Sequence, residues 1–354
     1  MRSIKSLKNL KGKRVVVRVD FNVPIIDGKI TDNFRIKKGI STIKYLVDKG
    51  ASVIILMHLG KDGSADIGPV IKEFFRLSKL PKDKINFEKN IRSFAGEEEN
   101  DSKLGKYLAS LGDIYVNDAF SVSHRTHASI VGIPKHIPGY AGLQLEEEIK
   151  QLSTVFKKPK HPFLFILGGA KFSTKMPLIK KYLAVADYVY VGGALANDFL
   201  ETKGLSVGVS LVDHTMNVPE SMLKNKKIIL PSDVLVDTGG TRAIRKVEEV
   251  GAKENILDIG PESTRTLGEY IKKAKMILWN GPMGKYELLG GGSTKDLLKL
   301  IARTKTTSII GGGDTVQMIS EMKMEKKFTF VSTGGGATLD FLAKGTLPGI
   351  KALG

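Results

Sequence analysis

Short runs of β-branched and other apolar residues alternate along the chain with stretches whose apolar residues recur every three or four positions. The runs predict buried strands, and the periodic stretches between them predict amphipathic helices. The predicted strands are residues 14–20, 52–57, 113–117, 163–167, 188–191, 276–279, 307–310 and 328–331. Strands that alternate with helices in this way favour an α/β fold, in which helices cover both faces of parallel sheets.

Chain length and one long helical pattern indicate two domains. A chain of 354 residues is too long for a single hydrophobic core. Residues 143–158 show continuous helical periodicity and end before a proline and the next strand. We therefore expect two doubly wound, Rossmann-like domains, residues 1–142 and 159–346, joined by a hinge helix at 143–158. The C-terminal tail, 347–354, is expected to pack back on the first domain.

Composition excludes several classes of protein. Apolar residues make up 42% of the chain and charged residues 26%, as in globular proteins. Cysteine is absent, which excludes disulfides, thiolate metal sites and a cysteine nucleophile. No apolar run approaches the ~18 residues of a membrane-spanning helix, and the basic N-terminus leads into no signal peptide. We expect a soluble, cytoplasmic protein that does not bind membranes.

The net charge of +18 requires an explanation, because it exceeds what most globular chains carry. The basic residues come as scattered pairs, such as Lys226-Lys227 and Lys272-Lys273, and not as a tail or an arginine-rich block. A solvated surface, attraction of anionic metabolites, and binding to nucleic acid or an acidic membrane are all compatible with this charge. No zinc-finger spacing or RNA-binding aromatic motif is present, so a nucleic-acid partner is not favoured.

Four glycine-rich turns follow strands in the second half of the chain, at residues 168–171, 192–194, 311–314 and 334–337. Glycine allows the backbone to approach a ligand, and a helix that starts there presents free N–H groups and a positive dipole. One such turn is common in any α/β fold, but four together indicate a phosphate-bearing ligand. Neither a Walker loop nor a dinucleotide fingerprint is present, so the ligand must be held in another way.

Charged residues lie beside these turns. Lys171 and Lys175 are four residues apart at the start of a predicted helix, so both can project from one face towards phosphate. Asp314 follows three glycines, where its carboxylate could reach a magnesium ion or cap the helix. Asn280 ends a strand, and Glu287 lies seven residues further on.

The first half carries a different set of polar residues at its strand ends. Arginine suits a small substrate with phosphate and carboxylate groups, because its guanidinium binds either group bidentately. A surface ion pair is the alternative for any one arginine. His124 and His127 have a spacing that can bind metal on a helix, but further ligands are not evident. The set is Asp20, Asn22, Arg35, His58, Arg92, Arg125 and the segment 117–120.

Seven sequence blocks, in order and between residue 14 and residue 349, closely resemble those of the phosphoglycerate kinase family. They are VRVDFNVP at 17–24, HLG at 58–60, VNDAF at 116–120, LGGAK at 167–171, WNGP at 279–282, GGGDT at 311–315 and STGGGA at 332–337. A shared superfold alone does not reproduce seven such blocks.

This resemblance implies a monomeric glycolytic and gluconeogenic phosphotransferase with a carboxyl group as acceptor. The reaction would be reversible phosphoryl transfer between 1,3-bisphosphoglycerate with ADP and 3-phosphoglycerate with ATP, dependent on Mg²⁺, by direct in-line attack and domain closure. The residues that it implies for the glycerate substrate are Asp20, Asn22, Arg35, His58, Lys61, Arg92 and Arg125.

The resemblance also assigns residues to the nucleotide and to the reaction. Glu287 would hydrogen-bond the ribose, and Asp314 would bind the metal. Catalysis would depend on Arg35, Lys171, Lys175, Gly335 and Gly336. The nucleotide-binding set is Gly169, Lys171, Lys175, Gly193, Asn280, Glu287, Gly311, Gly312, Gly313, Asp314 and Thr315.

Three positions depart from the family pattern. Lys61 stands where the family has arginine; it keeps the charge but loses the bidentate fork, so we expect weaker glycerate binding with turnover less affected. Ser121 replaces a glycine and would be strained if its backbone needs a positive φ. The glycines at 290–292 replace a more ordinary stretch. The rival interpretations are a basic nucleic-acid-binding protein and a catalytically silent protein on the same scaffold.

Overall fold

The computed structural model describes all 354 residues, which form two compact units. Unit 1 comprises Met1–Lys150 and Gly336–Gly354, and unit 2 comprises Gln151–Gly335. None of the helices combines the length and the apolar character that crossing a bilayer requires.

Sixteen strands are present, seven in unit 1 and nine in unit 2. They are β1 (Arg14–Val19), β2 (Ile25–Ile26), β3 (Lys29–Ile30), β4 (Ser52–Leu56), β5 (Ile85–Phe87), β6 (Ile114–Asp118), β7 (Gly139–Ala141), β8 (Phe163–Leu167), β9 (Tyr188–Val191), β10 (Ile228–Ile229), β11 (Asp233–Thr238), β12 (Thr241–Lys246), β13 (Asn255–Ile259), β14 (Met276–Asn280), β15 (Thr307–Gly311) and β16 (Phe330–Val331).

Twelve α-helices cover the sheets. They are α1 (Phe34–Asp48), α2 (Gly68–Ser78), α3 (Ser102–Ser110), α4 (Leu143–Lys157), α5 (Phe172–Leu183), α6 (Ala194–Thr202), α7 (Glu220–Leu223), α8 (Pro261–Lys273), α9 (Gly292–Ile301), α10 (Gly313–Glu321), α11 (Gly336–Lys344) and α12 (Pro348–Lys351).

Each unit is built on one parallel sheet, which confirms the predicted α/β class with two doubly wound sheets. The strand order is β5-β4-β1-β6-β7 in unit 1 and β10-β9-β8-β14-β15-β16 in unit 2. The chain therefore starts in the middle of each sheet and winds outwards in both directions. The order reverses between β1 and β6 and between β8 and β14, and ligands of such sheets bind at the carboxyl ends of those strands.

The strands that the hydrophobic pattern predicts best are those buried on both faces. All five residues of β8 and all five of β14 are buried, and β8 coincides with the predicted 163–167. The antiparallel sheet β12-β11-β13 was not predicted, because much of β12 is exposed and polar. The last strand, predicted at 328–331, is shorter by two residues, since β16 covers only Phe330–Val331.

The C-terminal segment belongs to unit 1 from Gly336 onwards, eleven residues before the start of the predicted tail at 347. Two contacts account for this difference. The ring of Phe341 on α11 packs edge-on against Phe120 with centroids 5.8 Å apart. The backbone N–H of Gly349 donates to the carbonyl of Ser123 at 2.8 Å.

Helix α4 begins at a buried carboxylate. Asp118, at the end of β6, is 3% exposed, and its Oδ1 accepts from the N–H groups of Gln144 and Leu145 at 2.9 and 3.1 Å. The hydroxyl of Thr42 accepts from the N–H of Leu143 at 2.9 Å. Desolvation outweighs these bonds and raises the pKa of Asp118 to about 7. The first turn of α4 is therefore fixed to β6 and α1.

We expect Asp118→Ala to destabilise the protein by about 1–3 kcal/mol, because two buried N–H groups lose their acceptor. Asp118→Asn keeps an acceptor oxygen and should retain most of the stability. Thermal unfolding followed by circular dichroism measures both. Asp101→Ala, which removes a single acceptor from the start of α3, is the matched control and should cost less. Equal effects of Asp118→Ala and Asp118→Asn would contradict the capping role.

Candidate functional site

The switch point of unit 1 holds a buried ion pair. Asp20 follows β1 and is 8% exposed, and Nη1 of Arg35 on α1 lies 2.9 and 3.1 Å from its two carboxylate oxygens. Burial alone would raise the pKa of Asp20, but Arg35 and the other neighbouring charges outweigh it and lower the pKa. The carboxylate therefore stays ionised and orients the guanidinium of Arg35, whose side chain remains 32% exposed.

Two asparagines hold the loop that follows β4. Oδ1 of Asn22 accepts from the N–H of Gly60 at 3.1 Å. Asn90 was not predicted; its Nδ2 donates to the carbonyl of Leu59 at 2.8 Å and to that of Ala65 at 3.3 Å, and its Oδ1 accepts from the Leu59 N–H. An asparagine before a predicted loop gives no signal of such cross-links, because its partners are distant in sequence.

His58 is fixed by a buried chain of hydrogen bonds, called the relay below, which was not predicted from the sequence. Nη2 of Arg18 lies 3.2 Å from Nδ1 of His58, and Nε of Arg18 donates to Oγ of Ser129 at 3.0 Å. Ser129 in turn donates through its hydroxyl and its N–H to the carboxylate of Glu97, at 2.6 and 2.9 Å. Arg18 and Glu97 are each 1% exposed. Because a guanidinium only donates, Nδ1 of His58 must accept.

Two further arginines complete the basic set of unit 1. Arg92 pairs with the carboxylate of Glu98, and its side chain is 9% exposed. Burial and then the charge of Arg92 lower the pKa of Arg125, so the two guanidinium groups lie close enough to repel each other. Desolvation and then Arg92 likewise lower the pKa of His127 to about 4. An anionic ligand would relieve this repulsion.

The remaining residues singled out in this half have simpler environments. Lys61 is exposed and makes no hydrogen bond or ion pair. Ser121 lies in a 3₁₀ turn and does not have a positive φ, so the strain considered from the sequence does not arise. No group of three or more histidine, aspartate or glutamate side chains is arranged to hold a metal, which removes the metal interpretation of His124 and His127.

The turns at the switch point of unit 2 pack backbone against backbone. The N–H of Gly168 donates to the carbonyl of Asn280 at 2.9 Å, and that of Gly193 to the carbonyl of Met283 at 3.0 Å. A Cβ on Gly168 would overlap the carbonyl of Pro282, and one on Gly193 would lie 2.9 Å from the nitrogen of Gly169. Only glycine permits this packing, which leaves the starts of α5 and α6 open.

Lys175 on α5 points into these turns. Its ammonium donates to the carbonyl of Gly168 at 2.5 Å. Desolvation lowers its pKa to about 8, although the charge of Asp314 acts in the opposite direction. Lys171, the residue before α5, is exposed and its side chain makes no hydrogen bond or ion pair. The two lysines thus supply one partly desolvated charge and one solvated charge beside the same turn.

Asp314 and Glu287 form an acidic pair across the turns. Desolvation and then Glu287 raise the pKa of Asp314. Asp314 lies in the first turn of α10, where no side chain caps the helix, so the capping interpretation is not supported. Its carboxylate is left available for a cation.

Two buried donors at this edge have no partner in the protein. Nδ2 of Asn280 and the hydroxyl of Thr315 make no hydrogen bond, although the two residues are 3% and 0% exposed. Unpaired buried polar atoms cost free energy, and a phosphate ligand would satisfy both. Orphan donors, the Lys175 ammonium and the free carboxylate of Asp314 together fit a nucleotide phosphate with its Mg²⁺.

A cavity of about 270 Å³ extends from these turns. Gly169, Gly193, Glu287 and Asp314 line one part of it, and the rest combines apolar side chains with a few polar ones, such as Asn197 and Asp258. The apolar wall, which no sequence motif signalled, includes Leu200, Leu211, Val234 and Ile256. A ligand with a phosphate chain and a largely apolar ring matches these two surfaces.

The other predicted glycines occupy the ends of the same elements. Gly311 ends β15, and Gly312 and Gly313 begin α10. Gly335 is the last residue of unit 2, and Gly336 is the first of α11 in unit 1. The glycines at 290, 291 and 292 all have positive φ, between 51° and 109°, and form the turn before α9; this explains why three glycines occur there.

The fold and the two switch-point sites define a two-domain α/β protein whose sites are suited to anionic, phosphate-bearing ligands. The family model described as phosphoglycerate kinase matches residues 4–88 and 65–345. The chain is 39% identical to phosphoglycerate kinase of Dictyoglomus turgidum, over 98% of the chain and 96% of that protein. It is 41% identical to the enzyme of Wolbachia sp. subsp. Drosophila simulans (strain wRi), over 99% and 98%.

Solved structures show the same similarity. Phosphoglycerate kinase from Coxiella burnetii superimposes with a TM-score of 0.83 at 33% identity, over 99% of this chain and 98% of that one. The enzyme from Pyrococcus horikoshii OT3 gives a TM-score of 0.84 at 29% identity, over 100% and 98%. The chain belongs to the phosphoglycerate kinase family and is a kinase, as the resemblance of its motifs predicted.

The relay predicts the protonation state of His58. Desolvation and then the charge of Arg18 lower its pKa to about 3. We expect the imidazole to remain neutral, with its proton on Nε2, from neutral pH down to about pH 4. Proton–nitrogen correlation spectra of the imidazoles, with His58→Gln to assign the signal, measure this. A His58 signal that titrates near pH 6.5 would contradict the relay.

The lowered pKa of Lys175 leads us to expect that nucleotide binding depends on pH. Its pKa of about 8 in the free protein lies below that of a lysine beside bound phosphate, so binding must restore the proton at alkaline pH. We expect affinity for ATP to be constant below about pH 7.5 and to fall as the pH rises through 8 and beyond. Titration calorimetry across this range measures it. Lys175→Met should bind more weakly but without this slope; the same slope in the variant would exclude Lys175 as its origin.

Proposed function

We propose that the protein catalyses the reversible transfer of a phosphoryl group between ATP and the carboxylate of 3-phosphoglycerate, which yields ADP and 1,3-bisphosphoglycerate. In the cell this would be a glycolytic and gluconeogenic step. The observation that carries the proposal is that each unit has its own switch-point site, one rich in arginine and one built from glycine turns. Family membership and the two chemically different sites support the same assignment.

The reaction makes few demands on acid–base groups. A carboxylate oxygen of 3-phosphoglycerate forms a bond to the γ-phosphorus, and the bond between that phosphorus and the β,γ-bridging oxygen breaks. The nucleophile is already ionised at neutral pH, so no proton has to be removed. Catalysis is then mainly positioning and stabilisation of charge. This agrees with a unit 2 site whose sequence signals are cations and N–H donors and which offers no strong candidate for a general base.

Unit 1 would bind the glycerate substrate. Arg35, oriented by Asp20, would bind the phosphoryl acceptor, and His58 would donate through Nε2. Arg92 and Arg125, which repel each other in the free protein, would gain a shared anionic partner. Lys61 would contribute charge without a bidentate fork, so the affinity for 3-phosphoglycerate should be lower than with arginine at this position.

Unit 2 would bind the nucleotide, with the base against the apolar wall of the cavity and the phosphates at the glycine turns. Lys171 and Lys175 would neutralise phosphate oxygens, Asn280 and Thr315 would donate to them, and Glu287 would hydrogen-bond the ribose. Asp314 would hold the Mg²⁺, which when bound neutralises charge on the phosphate chain.

Direct transfer requires both substrates in one water-poor site. We therefore propose domain closure about the helix 143–158, which would place Arg35, Lys175 and the N–H groups of Gly335 and Gly336 around the transferring group. The anchored first turn of α4 supports this role, because a hinge element needs a fixed end.

The test is an assay of the purified protein with Mg-ATP and 3-phosphoglycerate, in which a coupled dehydrogenase consumes the acyl phosphate. Turnover that requires Mg²⁺ and both substrates would support the proposal, and size-exclusion chromatography with light scattering would test the expected monomer. A folded protein without turnover would favour the catalytically silent alternative.

We expect Arg35→Ala to lower kcat on the order of 10³-fold, by comparison with other arginines that stabilise charge in phosphoryl transfer. Arg35→Lys keeps the charge and should retain part of the activity. Arg14→Ala is the matched control, since Arg14 is an exposed arginine of the same unit that pairs with Asp113, and it should leave kcat unchanged. Near-normal kcat in folded Arg35→Ala would refute the assignment.

A further inference from the structure

Basic residues precede five of the six strands of the unit 2 sheet, at the edge opposite the glycine turns. The segments are 157–160 before β8, 224–227 before β10, 272–275 before β14, 303–305 before β15 and 323–327 before β16. Each contains two or three lysines or arginines, and Glu325 is the only acidic residue among them. Neighbouring strands lie about 4.8 Å apart, so the segments form a row roughly 24 Å long.

Structural roles account for some of these charges. Lys227 donates to the carbonyls of Leu183 and Ala186 at 2.9 Å, beyond the end of α5. Lys272 and Lys273 lie in the last turn of α8, where the helix dipole favours cations, and Lys272 pairs with Glu269 at 2.8 Å. Lys160, Lys275 and Lys305 lie outside helices, and none of them has an acidic partner.

These three lysines meet at one open cavity of about 540 Å³, between the starts of β8, β14 and β15. The register holds them there: the N–H of Lys275 donates to the carbonyl of Pro162, and the N–H of Thr307 donates to the carbonyl of Lys275. Lys160 reaches across and donates to the hydroxyl of Thr307 at 3.1 Å. The full lining is Lys160, Lys272, Ala274, Lys275, Thr304, Lys305, Thr306 and Thr307.

We propose that this lysine cavity binds a linear oligophosphate, a chain of linked phosphoryl groups. Three of the four lysines in the lining have no acidic partner, Lys272 alone being paired with Glu269, so the cavity favours a ligand with several closely spaced negative charges. Lysine is a compact point charge that suits phosphate. A single inorganic phosphate, with a charge of about −1.5 to −2, would not neutralise the three lysines that lack an acidic partner.

The lining argues against other anionic partners. It contains no aromatic side chain on which a nucleic-acid base could stack, and no arginine fork for a base edge. Its one apolar residue, Ala274, is too small to insert into a lipid surface. Carboxylates of an acidic peptide would form exposed lysine pairs, which contribute little. The basic row to either side of the cavity would extend the contact for a longer phosphate chain.

The site is separate from the proposed nucleotide site. The strands of this sheet are five residues long at its centre, which places the lysine cavity roughly 15 Å from the glycine turns. Substitutions in the cavity should therefore leave kinase turnover unchanged, and loss of one activity does not imply loss of the other.

The experiment measures binding of a fluorescently end-labelled linear polyphosphate by anisotropy, with saturating 3-phosphoglycerate to occupy the proposed site of unit 1 and without ATP, whose linked phosphoryl groups would compete for the lysine cavity. The test variant is K275E/K305E. The control is K103E/K106E, which makes the same charge change at exposed positions on α3 of unit 1. Circular dichroism and kinase turnover verify that both variants are folded.

We expect K275E/K305E to weaken polyphosphate binding tenfold or more and to lower the slope of log affinity against log salt by about 2, with K103E/K106E close to the parent protein. Three outcomes would overturn the proposal: no polyphosphate binding to the parent protein, equal losses in the two variants, or duplex DNA that binds as tightly through the same lysines. The last would identify a nucleic-acid surface.

Discussion

The sites of both units depend on one topological constraint, the reversal of strand order in the middle of each sheet. β1 and β8 are the first strands of their parallel sheets and lie near the centre. The next strands of each sheet are added on one side of them, and the later strands on the other side. The loops that follow the two central strands therefore run in opposite directions and leave a crevice between them. Polar groups can be buried in this crevice without interrupting the hydrogen bonds between strands. Asp20 and Asn117 lie at this place in unit 1, and Gly168 and Asn280 in unit 2.

The two units solve the problem of buried charge differently. Unit 1 compensates charge with charge: Arg18 reaches Glu97 through Ser129, and Arg35 is paired with Asp20. Such networks are costly to desolvate but fix orientation, and here they set the hydrogen-bonding roles of His58. Unit 2 relies on backbone packing for rigidity. The side-chain donors of Asn280 and Thr315 have no partner, and the ammonium of Lys175 donates only to the carbonyl of Gly168, so all three can still bind a ligand.

The sequence predicted the elements whose signal is local. Strands buried on both faces, such as β8 and β9, were predicted to the residue because β-branched and aromatic runs mark them. The candidate site residues at strand ends could be proposed from the sequence because motif and strand coincide there. What could not be predicted are contacts between residues far apart in the chain, such as Asn90 with Leu59 and Arg18 with Ser129. The apolar wall of the cavity in unit 2 is of the same kind, since Leu200 and Ile256 belong to no motif.

The partly desolvated ammonium of Lys175 also affects the chemical reactivity of the protein. With a pKa of about 8, an appreciable fraction of this side chain is a free amine under mildly alkaline conditions, whereas a solvated lysine is almost wholly protonated. A free amine is a nucleophile, and an ammonium is not. In the free protein we therefore expect acylating reagents to modify Lys175 faster than a solvated lysine, and a bound polyanion to slow the same reaction. Occupancy of the site can therefore be followed as the modification rate of one side chain.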